Sequence, residues 1–295
     1  NLGVGRSATS SGNPGGGGGS GFNIDLRDTQ SNIIARTGDA VGTIAFGTDT
    51  YDLYVYDGAA WQTYYDDTPV PYSNSFSGSF DGTDDYATAT LGSQVFDGDF
   101  SISAWFNAST SPQYLTLLQL GDQSAYTDGW RLYKNFSQLQ FWDGVGGYSL
   151  ILEGGSISTS SWYHVAITRS GTACTLYLNG NSTDTGTSSE AFTSTAFKIS
   201  FTTLPFNGLI DEVALWDSAL SATDVTAIYN SGTPADLESL EPVNWWRLGD
   251  GTGDTDLGGG TPASGDTIGT VVDQGSGSNN ATGANDPTYS STVPS

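Results

Sequence analysis

Short polar turns punctuate this chain and constrain what it can fold into. Asp81-Gly82, Asp97-Gly98, Asp128-Gly129, Asp143-Gly144 and Asn179-Gly180 each set a residue that tolerates tight backbone geometry beside a glycine. Between such turns, apolar and polar residues alternate. Phe100, Ile102, Ala104 and Phe106 fall on one side of an extended segment, with Ser101, Ser103 and Asn107 on the other. Tyr163, Val165 and Ile167 alternate with His164, Ala166 and Thr168 in the same way. A period of two predicts strands. Strands separated by recurrent turns predict an all-β sandwich of two antiparallel sheets. With 40 Gly, 12% aromatic and only 14% charged residues, the composition suits such a chain and not a helical bundle. One helix is expected at 222–230, with Ser221 as N-cap, Asp224 completing a capping box and Gly232 just past its end.

The ends differ from the middle. Residues 1–21, with a glycine run from Gly15 to Gly19, cannot bury enough apolar surface to fold alone and read as a flexible arm. Residues 22–71 hold two strand-like runs, Thr43–Gly47 and Asp52–Tyr56, with polar turns at 48–50 and 57–58 before Trp61. Leu53, Val55 and Ala59 are too few to make a core, so this small β-module is expected to pack on the main domain or on copies of itself. Thr68-Pro69-Val70-Pro71 forms a stiff boundary. The main domain is expected over 72–233. In the extension 234–295, the adjacent Trp245 and Trp246 are too apolar to leave in water. They pack either on the parent sandwich or on a neighbouring subunit.

Five segments in order identify the main domain. They are Phe80–Tyr86, Asp99–Phe106, Trp162–Arg169, Leu176–Gly180 and Phe206–Val213. Together they resemble the laminin G-like, concanavalin A-like lectin/glucanase family, which implies a jelly-roll sandwich. The resemblance covers residues 72–233. A second, shorter one joins Gly42–Thr50, Leu53–Gly58 and Trp61 to a module found in bacteriophage fibre and other virion proteins. There it commonly sits near the attachment end and trimerises.

With 8 Lys and Arg against 32 Asp and Glu, the net charge of −24 repels nucleic acid and anionic membranes. No apolar run is long enough to span a bilayer. The chain holds no Met, as expected of a trimmed precursor or of a chain that has lost its initiator. The lone Cys174 excludes an intrachain disulfide; it shares a strand face with Leu176 and Leu178 and is expected to be buried.

Catalysis is not expected. His164 sits in mid-strand without a nucleophile partner in view. The Glu-x-Asp-x-x-Glu run of the family's laminarin-type glucanases is missing, and strand alternation sends Asp211 and Glu212 to opposite faces. Calcium has better support. Asp81, Asp84 and Asp85 share one glycine-containing turn, and the family places Asp211 near the same rim. Asp81, Asp85 and Asp211 are therefore the metal candidates, unless the turn's aspartates only hydrogen-bond their own backbone. Trp130, Tyr133, Gln140 and Trp142 are the glycan candidates, with core packing as the alternative for the tryptophans.

The two resemblances together imply a bacteriophage virion structural protein. It would be a short head fibre or capsid decoration, or a tail fibre, on the virion surface. Residues 1–71 would join other virion proteins and a homotrimer, and the laminin G-like head would meet host glycans. The alternative is a secreted or cell-surface carbohydrate-binding module.

Overall fold

The computed structural model describes residues 24–28, 43–47, 53–56, 59–65, 72–92, 96–110, 114–121, 128–145 and 147–295. The expected arm, the turns at 48–50 and 57–58 and the Thr68–Pro71 boundary lie outside them. The chain divides into two compact units, Asn1–Pro71 and Tyr72–Ser295. No helix among the described residues is long and apolar enough to cross a membrane.

In the first unit the described strands are β1 (Ile24–Asp28), β2 (Ile44–Gly47), β3 (Leu53–Tyr56) and β4 (Trp61–Tyr65). They form one sheet in chain order, β1 parallel to β2 and the rest antiparallel. Among the described residues its core is Ala45, Tyr54, Tyr56 and Trp61, with the Tyr56 and Trp61 rings 5.5 Å apart. The buried face is thus the aromatic one. Val55, on the other face, is half-buried and Ala59 is exposed. The reason is area: an aromatic ring removes more surface from water than a valine or alanine does.

The second unit runs β5 (Ser77–Asp81), β6 (Tyr86–Thr90), β7 (Phe100–Ala108), β8 (Leu115–Leu120), β9 (Trp130–Asn135) and β10 (Gln138–Asp143). It continues with β11 (Ser149–Gly154), β12 (Trp162–Ser170), β13 (Ala173–Leu178), β14 (Asn181–Thr187), β15 (Ala196–Ile199) and β16 (Asn207–Trp216). Helix α1 (Ala222–Tyr229) follows. Then come β17 (Asn244–Trp246), β18 (Thr255–Asp256), β19 (Ile268–Val271), β20 (Ala281–Ala284) and β21 (Thr288–Ser290). One sheet has the order β11-β10-β9-β8-β15-β6-β20-β19-β18; the other has β14-β13-β12-β7-β16-β5-β21, with β17 also on β16. The fold is an all-β jelly-roll sandwich of two antiparallel sheets.

The alternation read from sequence packs as expected. Phe100, Ile102, Ala104, Phe106, Val165, Ile167 and Cys174 all enter the core between the sheets. The opposite face of the second sheet is also covered, by α1: Val225 packs on Ala166 and Tyr177, and Tyr229 stacks on Trp105 at 5.8 Å. Ser221 caps α1 and Asp224 completes the capping box. The segment after α1 supplies strands to both sheets. β17 pairs with β16, β21 with β5, and β20 with β6. Trp246 lies between the sheets, stacked on Phe197 at 5.0 Å. Trp245 packs on the outer side with Ala214 and Trp216.

Candidate functional site

The hairpin β9–β10 builds the site. Its two-residue turn, Phe136-Ser137, pairs Asn135 with Gln138, which sets Tyr133 opposite Gln140 and Arg131 opposite Trp142. Entry into β9 needs a glycine: Gly129 has φ +90, and a Cβ there would stand 1.9 Å from the Leu120 carbonyl oxygen. Along β9, Trp130 and Leu132 point into the core, and Arg131 and Tyr133 point away from it.

Four aromatic rings gather on that outward face. Tyr114 meets Tyr133 edge-on at 5.4 Å, and Trp142 meets Tyr148 edge-on at 6.4 Å. With Arg131 and Leu204 they line a cavity of about 270 Å³. Tyr114 holds φ +56, a left-handed conformation that costs a bulky residue roughly 1 to 3 kcal/mol. Beside the cavity, the Trp142 indole donates to Gln140 Oε1 at 3.0 Å, and Gln140 Nε2 donates to Glu153 on β11. Arg131 Nη1 donates to the Tyr133 hydroxyl, and the guanidinium lies 5.2 Å from the Tyr133 ring and 5.0 Å from Phe201. Burial pushes the Tyr133 phenol up.

Three of the four glycan candidates, Tyr133, Gln140 and Trp142, therefore share one face. Trp130 does not. It is fully buried and packs on Phe96, Phe141 and Phe197 at 5.3, 5.6 and 6.2 Å. Residues three apart on a strand face opposite ways, so Trp130 and Tyr133 cannot line one surface. Arg131, Tyr114 and Tyr148 were not singled out in the sequence. Arg131 carried a usable signal, since it lies two residues from Tyr133; the two tyrosines arrive from loops with no periodicity to mark them.

The acidic turn between β5 and β6 brings the Asp81, Asp84 and Asp85 carboxylates within 4.8 Å of one another. Asp85 Oδ2 accepts from the Asp81 N–H at 2.9 Å, and Asp81 Oδ1 from the Thr83 N–H at 2.7 Å. Both contacts are to backbone N–H groups of the turn itself, the alternative role that the sequence leaves open for these aspartates. Burial, with Asp81, Asp84 and Asp286 adding, pushes the Asp85 pKa up to about 6. Hard oxygen donors at this spacing fit a divalent cation.

Asp211 is not with them. Asn207 is the β16 residue opposite Asp81, and Asp211 lies four residues further along the strand, beside Trp105. Its expected separation from Glu212 also fails. A β-bulge between Asp211 and Ala214 breaks the alternation, with Glu212 at φ +47, and both carboxyl groups end near Tyr72. Asp211 accepts from Asn74 Nδ2 at 2.9 Å, while Glu212 accepts from the Trp245 indole at 2.5 Å and from Arg247 Nε at 3.1 Å. Both acids are buried. His164 is buried too, with Nε2 2.8 Å from Ser103 Oγ, and burial pushes its pKa down to about 3.

Residues 81–226 match the family model of the concanavalin A-like lectin/glucanases superfamily. Among solved structures, the chain is similar to a protein of Bacteroides ovatus described as a candidate carbohydrate binder. Identity is 18%, 87% of this chain and 71% of that one are covered, and the TM-score is 0.56. It is also similar to the SAP-like pentraxin of Limulus polyphemus, at 14% identity, 53% and 82% coverage and TM-score 0.43. Against the CBM40 of the Ruminococcus gnavus IT-sialidase the values are 12%, 53% and 100%, and 0.41. At 18% identity the likeness to the Bacteroides ovatus protein is one of fold. No curated protein matches the chain.

Proposed function

We propose that the chain, whose residues 81–226 match the family model of the concanavalin A-like lectin/glucanases superfamily, binds carbohydrate in the cavity on the outer face of β9 and β10. The observation that carries this is the ring of Tyr114, Tyr133, Trp142 and Tyr148 beside the hydrogen-bonded pair Gln140 and Glu153. Aromatic faces take the C–H side of a sugar ring, and the amide and carboxylate take its hydroxyls. The strained Tyr114 supports a binding role, since such strain persists where the surroundings hold it in place. The Bacteroides ovatus neighbour, given as a candidate carbohydrate binder, agrees with it. Binding rather than hydrolysis is favoured because Asp211, Glu212 and His164 are closed off from solvent.

A glycan array on the folded chain should give hits. Trp142→Ala should weaken the best of them by about tenfold or more, since buried aromatic anchors dominate such contacts. Its melting temperature should change little, because Trp142 is only half-buried. An array without a hit would sink the reading.

The first unit favours a second element. Its described core comprises four side chains, and a sheet that small gains stability from association. We infer that residues 1–71 attach the carbohydrate-binding unit to a larger particle as a homotrimer, on the surface of a bacteriophage virion. Sedimentation of the full chain and of residues 72–295 tests this. The full chain should run as a trimer and the shorter one as a folded monomer. A monomeric full chain would reduce the reading to a secreted or cell-surface carbohydrate-binding module.

For the acidic turn, calcium is the proposed occupant, held by Asp81, Asp84 and Asp85. Calcium at millimolar concentration should raise the melting temperature of wild type and not of Asp81→Asn. An unchanged wild-type melting temperature discards the ion.

A further inference from the structure

We propose that the cavity selects a carboxylate-bearing sugar, a hexuronate or a sialic acid, and that Arg131 contacts the carboxylate. This rests on the reading of the cavity as a glycan site. It starts from where the cations of the second unit find partners. Arg247 pairs with Glu212 at 3.1 Å. Arg169 donates to the carbonyl oxygens of Phe96, Gly98 and Glu190. Lys134 donates to those of Thr110 and Phe136. Arg131 and Lys198 are different: among the described residues, neither has a carboxylate or a carbonyl partner.

Both stand on the same outward face. Lys198, Gln119 and Arg131 are successive cross-strand neighbours on β15, β8 and β9. Phe201 lies between the two charges, 4.7 Å from Lys198 Nζ and 5.0 Å from the Arg131 guanidinium carbon. Arg131 is 4% exposed, and its Nε is buried without a hydrogen-bond partner. Aromatic faces offset part of the cost of a desolvated cation but do not neutralise it. In a chain of net charge −24, acids are plentiful, so a buried guanidinium without one marks a place for an anion from outside.

The chemistry of that anion follows from the walls. A guanidinium is planar and matches a planar carboxylate. Glu153 and Asp184, which accepts from the Glu153 N–H, stand on the far side of Gln140 and repel further negative charge there. One anionic group on an otherwise neutral sugar fits this asymmetry, and a polyanion does not.

Titrations of the full chain with matched pairs test the proposal: galacturonic acid against galactose, and sialyllactose against lactose. Tryptophan fluorescence reports binding through Trp142, at about 0.15 M salt so that the remote charge is screened. The acidic member of at least one pair should bind about tenfold tighter than its neutral partner, and Arg131→Gln should remove that difference. The methyl ester of the tighter acidic sugar should also lose it, which tests the charge without touching the fold. Equal binding of acidic and neutral sugars overturns the proposal and leaves the glycan reading standing. An acidic preference that survives in Arg131→Gln overturns the role of Arg131. Binding of neither kind overturns the glycan reading and this inference with it.

Discussion

Trp246→Ala is expected to cost about 3 to 5 kcal/mol, the range for removing a large aromatic side chain from a packed core. Trp246 is fully buried between the sheets, flat against Phe197 at 5.0 Å. Its indole donates to the Asn279 carbonyl at 2.9 Å, so alanine leaves both a cavity and an unpaired acceptor. For a unit of this size, the melting temperature should fall by on the order of 10 °C. Leu257→Ala in the same segment should change nothing measurable, because Leu257 is 66% exposed. Thermal unfolding followed by near-ultraviolet circular dichroism distinguishes them. An unchanged melting temperature for Trp246→Ala would mean that the segment after α1 is not part of the sandwich core.

Lowering the pH from 8 to 5 should stabilise the protein. Burial pushes Glu212 from 4.5 up to about 7, against the lowering effects of Arg247 and Trp245. Burial likewise pushes Asp254 from 3.8 up to about 6, although three backbone N–H groups donate to it. Asp211 moves the same way, through burial and the neighbouring Glu212. A carboxyl group with a raised folded-state pKa binds more protons folded than unfolded across the window between the two values. The contribution of these three groups is therefore fully present below about 4 and is lost as pH rises toward about 7, while buried His164, held down near 3, opposes it as pH falls below about 6.5. The melting temperature at pH 5 should exceed that at pH 8, and high salt should remove only the part due to surface repulsion.

Asp211→Asn sharpens the test. It mimics the protonated acid, and Asn74 Oδ1, buried without a partner, can accept from the new amide after an amide flip. The variant should be more stable than wild type at pH 8 and should flatten the profile. A flat wild-type profile would contradict the account.

What could be read in advance tracks how local the information is. The strand of Phe100 to Phe106 and the helix after Ser221 are encoded within their own segments, by alternation and by a capping box. The same alternation rule, applied within β9, separates Trp130 from Tyr133 and pairs Tyr133 with Arg131. The information for two of the six cavity-lining residues was therefore present in one hexapeptide. The bulge at Glu212 was not legible, because it shows itself only in register against β7. Nor was the placing of Tyr114 and Tyr148, which depends on where two loops land. The long pairings of β5 and β6 leave no local trace at all.

Those pairings set a timetable for synthesis. Ser79 pairs with Thr288, and Ala87 with Gly283, about 200 residues apart in sequence. At ribosomal speeds of about 5 to 20 residues per second, β5 and β6 wait roughly 10 to 40 s for these partners. Throughout that interval each nascent chain presents unpaired strand edges, at which a neighbouring chain on the same message can add in place of β20 or β21.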